Sequence, residues 1–198
     1  INRQYPASIS SEELSQLESV DFDGPIVVVS DLDEDFAEAM DYLKSQTVIG
    51  FDTETKPSFT SNSPRHHVAL LQLSGRDKAY VFRLNLIGLP APLVSVLSDG
   101  TITKVGAAVK DDVRGLMYYR KFTPRSFVDL QSMVAEYGIQ DKSVRKMSAI
   151  ILGRKVSKTQ QLSNWEAPQL SGAQLKYAAI DAWVCREMYL KLKSGEKK

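Results

Sequence analysis

The 198 residues fit one globular domain, and a chain of this size can bury a full hydrophobic core without disulfides or structural metal. With 43% apolar and 25% charged residues the composition is that of an ordinary folded protein, which excludes disorder and collagen-like repeats. The net charge of +1 does not advertise a polyanion-binding surface as a strongly basic chain would, and no apolar run approaches the ~18 residues of a bilayer span.

Residues 1–24 are polar and read as an N-terminal extension, within which Ser10-Ser11-Glu12-Glu13 predicts a capping box opening a short helix. Ile1 to Val20 holds no apolar signal-peptide core, and the lone Cys185 excludes an internal disulfide framework. A soluble chain in the cytoplasm, with no membrane partner, is the expectation. After the Gly24-Pro25 turn, residues 26–29 predict a β-branched strand and residues 32–45 a helix with Phe36, Met40 and Leu43 at helical spacing. Strands over 48–55, 68–73 and 79–84 follow, the last two joined by hairpin chemistry at Ser74-Gly75-Arg76-Asp77, and these three predict an antiparallel meander. Beyond Pro90-Ala91-Pro92 the pattern predicts a helix ending near Gly100, a strand over 102–105 and a helix over 109–119. A short strand over 126–128, helices over 130–137 and 143–152, and a final helix over 172–192 complete the chain. Strands in a run, then alternating with helices, imply a mixed sheet covered by helices on both faces.

Three groups of carboxylates stand where a core should be. In the final helix Tyr177, Val184, Cys185, Met188 and Leu192 form one stripe, and Asp181 falls in the middle of it. An unpaired buried ion costs several kcal/mol, so Asp181 needs a cation, a hydrogen-bond network or a metal; a structural ion pair or a cap to a loop would also satisfy it. Asp52 and Glu54 alternate on one strand face with backbones ~7 Å apart, and a divalent metal between them is the economical explanation. A polar strand end entering a turn is the alternative, although Val48-Ile49-Gly50-Phe51 runs into the acids as a buried strand would. Asp112 borders the buried face set by Val109, Val113, Leu116 and Met117, whereas Asp111 faces away. The helix dipole alone accounts for Asp111 in the first turn and would also cover Asp112.

In order and spacing, Phe51-Asp52-Thr53-Glu54-Thr55, Val105-Gly106 with Asp112 six residues on, and Tyr177-Ala178-Ala179-Ile180-Asp181 resemble the three motifs of the DEDD exonuclease superfamily. Tyr177, four residues before Asp181, marks the tyrosine-type branch. Val68-Ala69-Leu70-Leu71-Gln72-Leu73 and Ser163-Asn164-Trp165 are further similar to ribonuclease D and the exonuclease domain of the Werner syndrome helicase. The resemblance spans about residues 25–193 and divides the chain into the extension, 1–24, and a 3′-5′ exonuclease domain, 25–198. It implies a ribonuclease H-like α/β fold with a mixed five-stranded sheet of order 3-2-1-4-5. It further implies removal of nucleotides one at a time from a free 3′ end of DNA or RNA.

The resemblance also implies two divalent cations, Mg²⁺ or Mn²⁺, with Asp52, Glu54, Asp112 and Asp181 as ligands and Asp52 bridging both. Hard oxygen donors suit such ions, and a pair of them suits phosphodiester hydrolysis. Tyr177, one helical turn from Asp181, can orient the attacking water, a safer role than base given a phenol pKa near ~10. With four of the 24 acids offset by two divalent ions, the 25 basic residues exceed the remaining 20 acids by five, so the near-neutral total is no objection to a nucleic-acid substrate. Candidate substrate contacts are Thr55, Lys56, Arg65, His66, Lys110, Arg114 and Lys158. Trp165 is a further candidate, to stack a base or else to pack under its loop. His66-His67 has no histidine or cysteine partners that would make a zinc site. A second reading is a nucleic-acid-binding module of the same fold without catalysis. Residues 26–33 resemble the strand-borne Asp-x-Asp of haloacid dehalogenase phosphatases, but Asp35 stands where that pattern needs Thr or Val. Ser30 and Asp31 are read instead as the cap of the next helix.

Overall fold

A computed structural model describes residues 5–195; residues 1–4 of the extension and 196–198 of the domain lie outside the described residues. The strands are β1 (Ile26–Val29), β2 (Val48–Thr55), β3 (Val68–Ser74), β4 (Ala79–Arg83), β5 (Thr103–Gly106) and β6 (Phe127–Asp129). They form one mixed sheet of order β1-β4-β3-β2-β5-β6. The expected meander is present, with β3 antiparallel to both β2 and β4, while β5 pairs parallel with β2 and β6 with β5. Counted from β2, these five strands have the order 3-2-1-4-5. The expectation of five strands is corrected to six, because β1 adds in parallel to the open edge of β4, Ile26 to Val29 matching Ala79 to Phe82.

The helices are α1 (Ser11–Ser15), α2 (Glu34–Lys44), α3 (Leu84–Ile87), α4 (Ala91–Leu97), α5 (Val109–Leu116), α6 (Leu130–Met133), α7 (Val144–Leu152) and α8 (Gly172–Gly195). A 3-10 turn, Val134–Tyr137, prolongs α6, so the single helix expected over 130–137 is split. The short α3 has no counterpart among the expected elements. Ser10 and Glu13 exchange hydrogen bonds at 3.1 Å as a capping box. The cap of α2 is Asp33, whose carboxylate accepts from the Phe36 N–H at 3.2 Å, which corrects the expectation of Ser30 and Asp31.

Alternation along β2 divides the core. Ile49 and Phe51 join Phe36, Leu43, Leu93, Val96 and Leu116 from α2, α4 and α5 on one face. On the other face Val105, Met147, Val184, Cys185 and Met188 pack between the sheet, α7 and α8, and Val20 and Phe22 of the N-terminal segment pack with them. Helix α8 lies across β2, β3 and β5 and is buried nearly all round over 178–182, so its stripe is broader than periodicity alone implied. Gly50 makes this seat possible. A Cβ there would lie 1.8 Å from the Ala182 carbonyl oxygen, a contact only glycine avoids.

Candidate active site

Gly50, Asp52 and Glu54 share the face of β2 that meets α8, so the close approach at Ala182 brings the preceding residue, Asp181, against both acids. Asp52, Glu54 and Asp181 each offer a carboxylate oxygen, and these oxygens all lie within 4.8 Å of one another. Asp181 is only 8% exposed. Burial, then the Glu54, Asp181 and Asp112 carboxylates, push Asp52 well above the usual carboxylate range. Glu54 is pushed up to about 9 by burial and then by Asp181. Asp181 rises to about 7 through burial, relieved in part by hydrogen bonds from Glu54 and Tyr177. Three acids held this close retain protons unless positive charge comes between them, and their hard oxygen donors fit a divalent cation.

Asp112 approaches from the other face of the sheet. It lies on the inward border of α5, and Thr53, which points away from Asp52 and Glu54, donates its hydroxyl to Asp112 Oδ1 at 2.6 Å. Burial raises Asp112 to about 6 against the effect of that hydrogen bond. Asp111 is exposed and pairs with Arg114 at 3.4 Å. The start of α5 is held by Asp129, which accepts from the Ala108 and Val109 N–H groups at 3.0 and 3.3 Å and from Gln131 N–H at 2.9 Å. This brace compensates a non-glycine residue at positive φ, Ala108 at 56°. No signal in the sequence linked Asp129 to α5, because it lies twenty residues downstream.

Tyr177 stands one turn before Asp181 and stacks on Trp165, with ring centroids 5.8 Å apart and planes at 28°. Burial first, then the neighbouring Asp181, raises its pKa, so the phenol stays protonated and acts as a hydrogen-bonding group. Trp165 itself is 0% exposed and packs with Leu70, Val81 and Ala178. Its ring face supports Tyr177 and is not open to a base, which corrects the stacking role expected for it. Gln72, opposite Asp52 on β3, donates to the Ala178 carbonyl at 3.2 Å, and its side chain offsets a small part of the rise in the Glu54 pKa. It was not singled out by the sequence, although Gln72 and Ser74 are the two polar residues of an otherwise apolar strand.

A cleft of about 300 Å³ opens on the acids, and Lys158 lines it together with Arg145 and Gln161. Of the expected substrate contacts, Lys158 therefore sits at the cleft. Thr55 and His66 line a second groove of about 310 Å³ with His67, Asp112 and Tyr118; His66 Nδ1 lies 3.1 Å from Glu166, and His67 stacks on Tyr118. Lys110 and Arg114 are exposed on α5, and neither they nor Lys56 and Arg65 line either space. Arg145 was not singled out by the sequence, where one basic residue on an amphipathic helix carries no signal.

A family model described as 3′-5′ exonuclease matches residues 27–195. The exonuclease 3′-5′ domain-containing protein 2 of Drosophila melanogaster is 34% identical over 159 residues, covering 78% of this chain and 27% of that protein. Ribonuclease D of Gluconacetobacter diazotrophicus is 29% identical over 171 residues, covering 85% of this chain and 42% of the relative. The chain thus spans less than half the length of either. Among solved structures, the Aedes aegypti Nibbler EXO domain shares the fold with a TM-score of 0.75 at 23% identity, covering 87% of this chain and 88% of its own.

Proposed function

This chain belongs to the 3′-5′ exonuclease family, and on that premise we propose that it removes nucleotides one at a time from the 3′ end of a DNA or RNA strand, releasing nucleoside 5′-monophosphates. The observation that carries the reading is the convergence of the Asp52, Glu54 and Asp181 oxygens within 4.8 Å of one another beside an open cleft. Two divalent cations, Mg²⁺ or Mn²⁺, held by Asp52, Glu54 and Asp181 with Asp112, would supply an ionised water and charge neutralisation at the scissile phosphate and leaving oxygen.

The chain's own groups do the rest. Tyr177, fixed between Trp165 and Asp181, orients a water at its hydroxyl and does not take the proton, since its pKa lies far above neutrality. Thr53 holds the Asp112 carboxyl, so that acid keeps one orientation. Lys158 on the cleft wall attracts the incoming phosphates. The alternative of a binding module without catalysis leaves the mutual repulsion of these acids without purpose. Products from matched DNA and RNA carrying a 5′ label test the proposal: a ladder shortening from the 3′ end with release of 5′-monophosphates is expected. Cleavage of circular single strands would refute it in favour of an endonuclease.

A further inference from the structure

The cleft beside the acids has two unlike walls. One carries Asp52, Glu54, Tyr177 and Asp181 on β2 and α8; the other carries Arg145 at the start of α7 and Lys158 in the loop that follows. Lys158 is exposed and solvated, so its place needs no special account. Arg145 is different. Its side chain is half-buried, its Nε is sealed from solvent without a hydrogen-bond partner, and it joins none of the ion pairs among the described residues. The two terminal nitrogens are neither sealed nor hydrogen-bonded within the protein, so the guanidinium is anchored by its buried stem and offers its end to the cleft.

Arg145 is not the counter-ion of the acids either. No ion pair among the described residues joins it to Asp52, Glu54, Asp112 or Asp181. A cation that lines an acidic cleft yet pairs with none of its acids faces the space between the walls. The ligand chemistry that fits a planar fork of N–H donors in that position is the pair of oxygens on a phosphate. Carboxylates on the opposite wall could not serve such a ligand directly, so the two walls have separate tasks: one for the reacting centre, one for the strand.

We propose that Arg145 binds a backbone phosphate of the substrate strand within this cleft, an inference that rests on the exonuclease reading above. The test uses Arg145→Met, which keeps much of the side chain's length without charge, and Arg145→Lys, which keeps the charge without the fork. Single-turnover cleavage of a 5′-labelled single strand with Mn²⁺, at increasing enzyme concentration, separates the half-saturating concentration from the maximal rate. Arg145→Met should raise the half-saturating concentration roughly 10- to 100-fold, the effect of losing one charge-assisted hydrogen-bonded contact. Across a salt series the slope of log affinity against log salt should shrink by ~0.7, the value for one phosphate contact on a single strand. Arg145→Lys should recover the slope and only part of the affinity, and neither variant should melt more than about 2 °C below the parent. Unchanged half-saturation and slope in Arg145→Met would overturn the assignment, and so would a fall in maximal rate alone or a loss of melting temperature parallel to the loss of binding. A parent protein that cuts no strand would instead overturn the exonuclease reading, and this inference with it.

Discussion

Gly50→Ala should loosen the whole site from a position that touches no substrate. The added Cβ would meet the Ala182 carbonyl oxygen at 1.8 Å and its carbon at 2.6 Å, short of ordinary contact at 3.4 Å by about 1.6 Å. Both obstacles are backbone in the most buried stretch of α8, so no rotamer change relieves them, and the helix must withdraw from β2. Overpacking of this kind costs ~1–3 kcal/mol or more, which in a domain of this size lowers the melting temperature by roughly 2–12 °C. Because Asp181 immediately precedes Ala182, the same withdrawal separates it from Asp52 and Glu54, and a displacement of ~1 Å in a catalytic constellation is worth ~100-fold in rate. Calorimetric melting, Mn²⁺ titration and single-turnover cleavage together read the effect. Gly172→Ala is the control: nothing lies near its added Cβ, and alanine should hold or raise the melting temperature by restricting the unfolded chain. A Gly50→Ala protein with parental melting, metal affinity and rate would show that α8 does not seat on Gly50 as described.

Asp52→Asn should abolish metal-dependent cleavage while stabilising the metal-free protein; appreciable turnover by the folded variant would remove Asp52 from the site. That stabilisation should depend on pH. The unfolded carboxyl ionises near ~4, whereas the folded one holds its proton well above that, so raising the pH takes protons from the unfolded chain first and destabilises the parent. The melting temperatures of parent and Asp52→Asn should therefore coincide in acid and diverge as the pH rises through neutrality, and a constant difference would refute the mutual repulsion. Tyr177→Phe should keep its stacking on Trp165 and its Mn²⁺ affinity yet slow turnover by ~10²- to 10⁴-fold; a parental rate would deny its hydroxyl any part in the chemistry. Asp112→Asn should damage cleavage far more than Asp111→Asn, because only Asp112 turns inward to Thr53; equal losses would show that α5 is rotated from its described orientation.

Periodicity alone determined which face each acid occupies. Alternation placed Asp52 and Glu54 together on β2, helical phase placed Asp181 inside the stripe of α8, and the same phase separated Asp112 from Asp111. Those are local properties, set by 180° and 100° per residue before any partner is chosen. Which elements meet is a different matter, decided by packing between residues far apart in the chain. Nothing in Ile26–Val29 says that it extends the sheet beyond β4, and nothing local to Trp165 says that Tyr177 and the β3–β4 face will cover it. Likewise the brace of Asp129 on α5, the contact of Thr53 with Asp112 on the α5 face of β2, and the isolation of Arg145 opposite the acids exist only once the helices are seated. The sharpest case is Gly50. In sequence it is one small residue in a strand, and in the folded chain it is the gap through which α8 comes close enough for Asp181 to complete the carboxylate cluster.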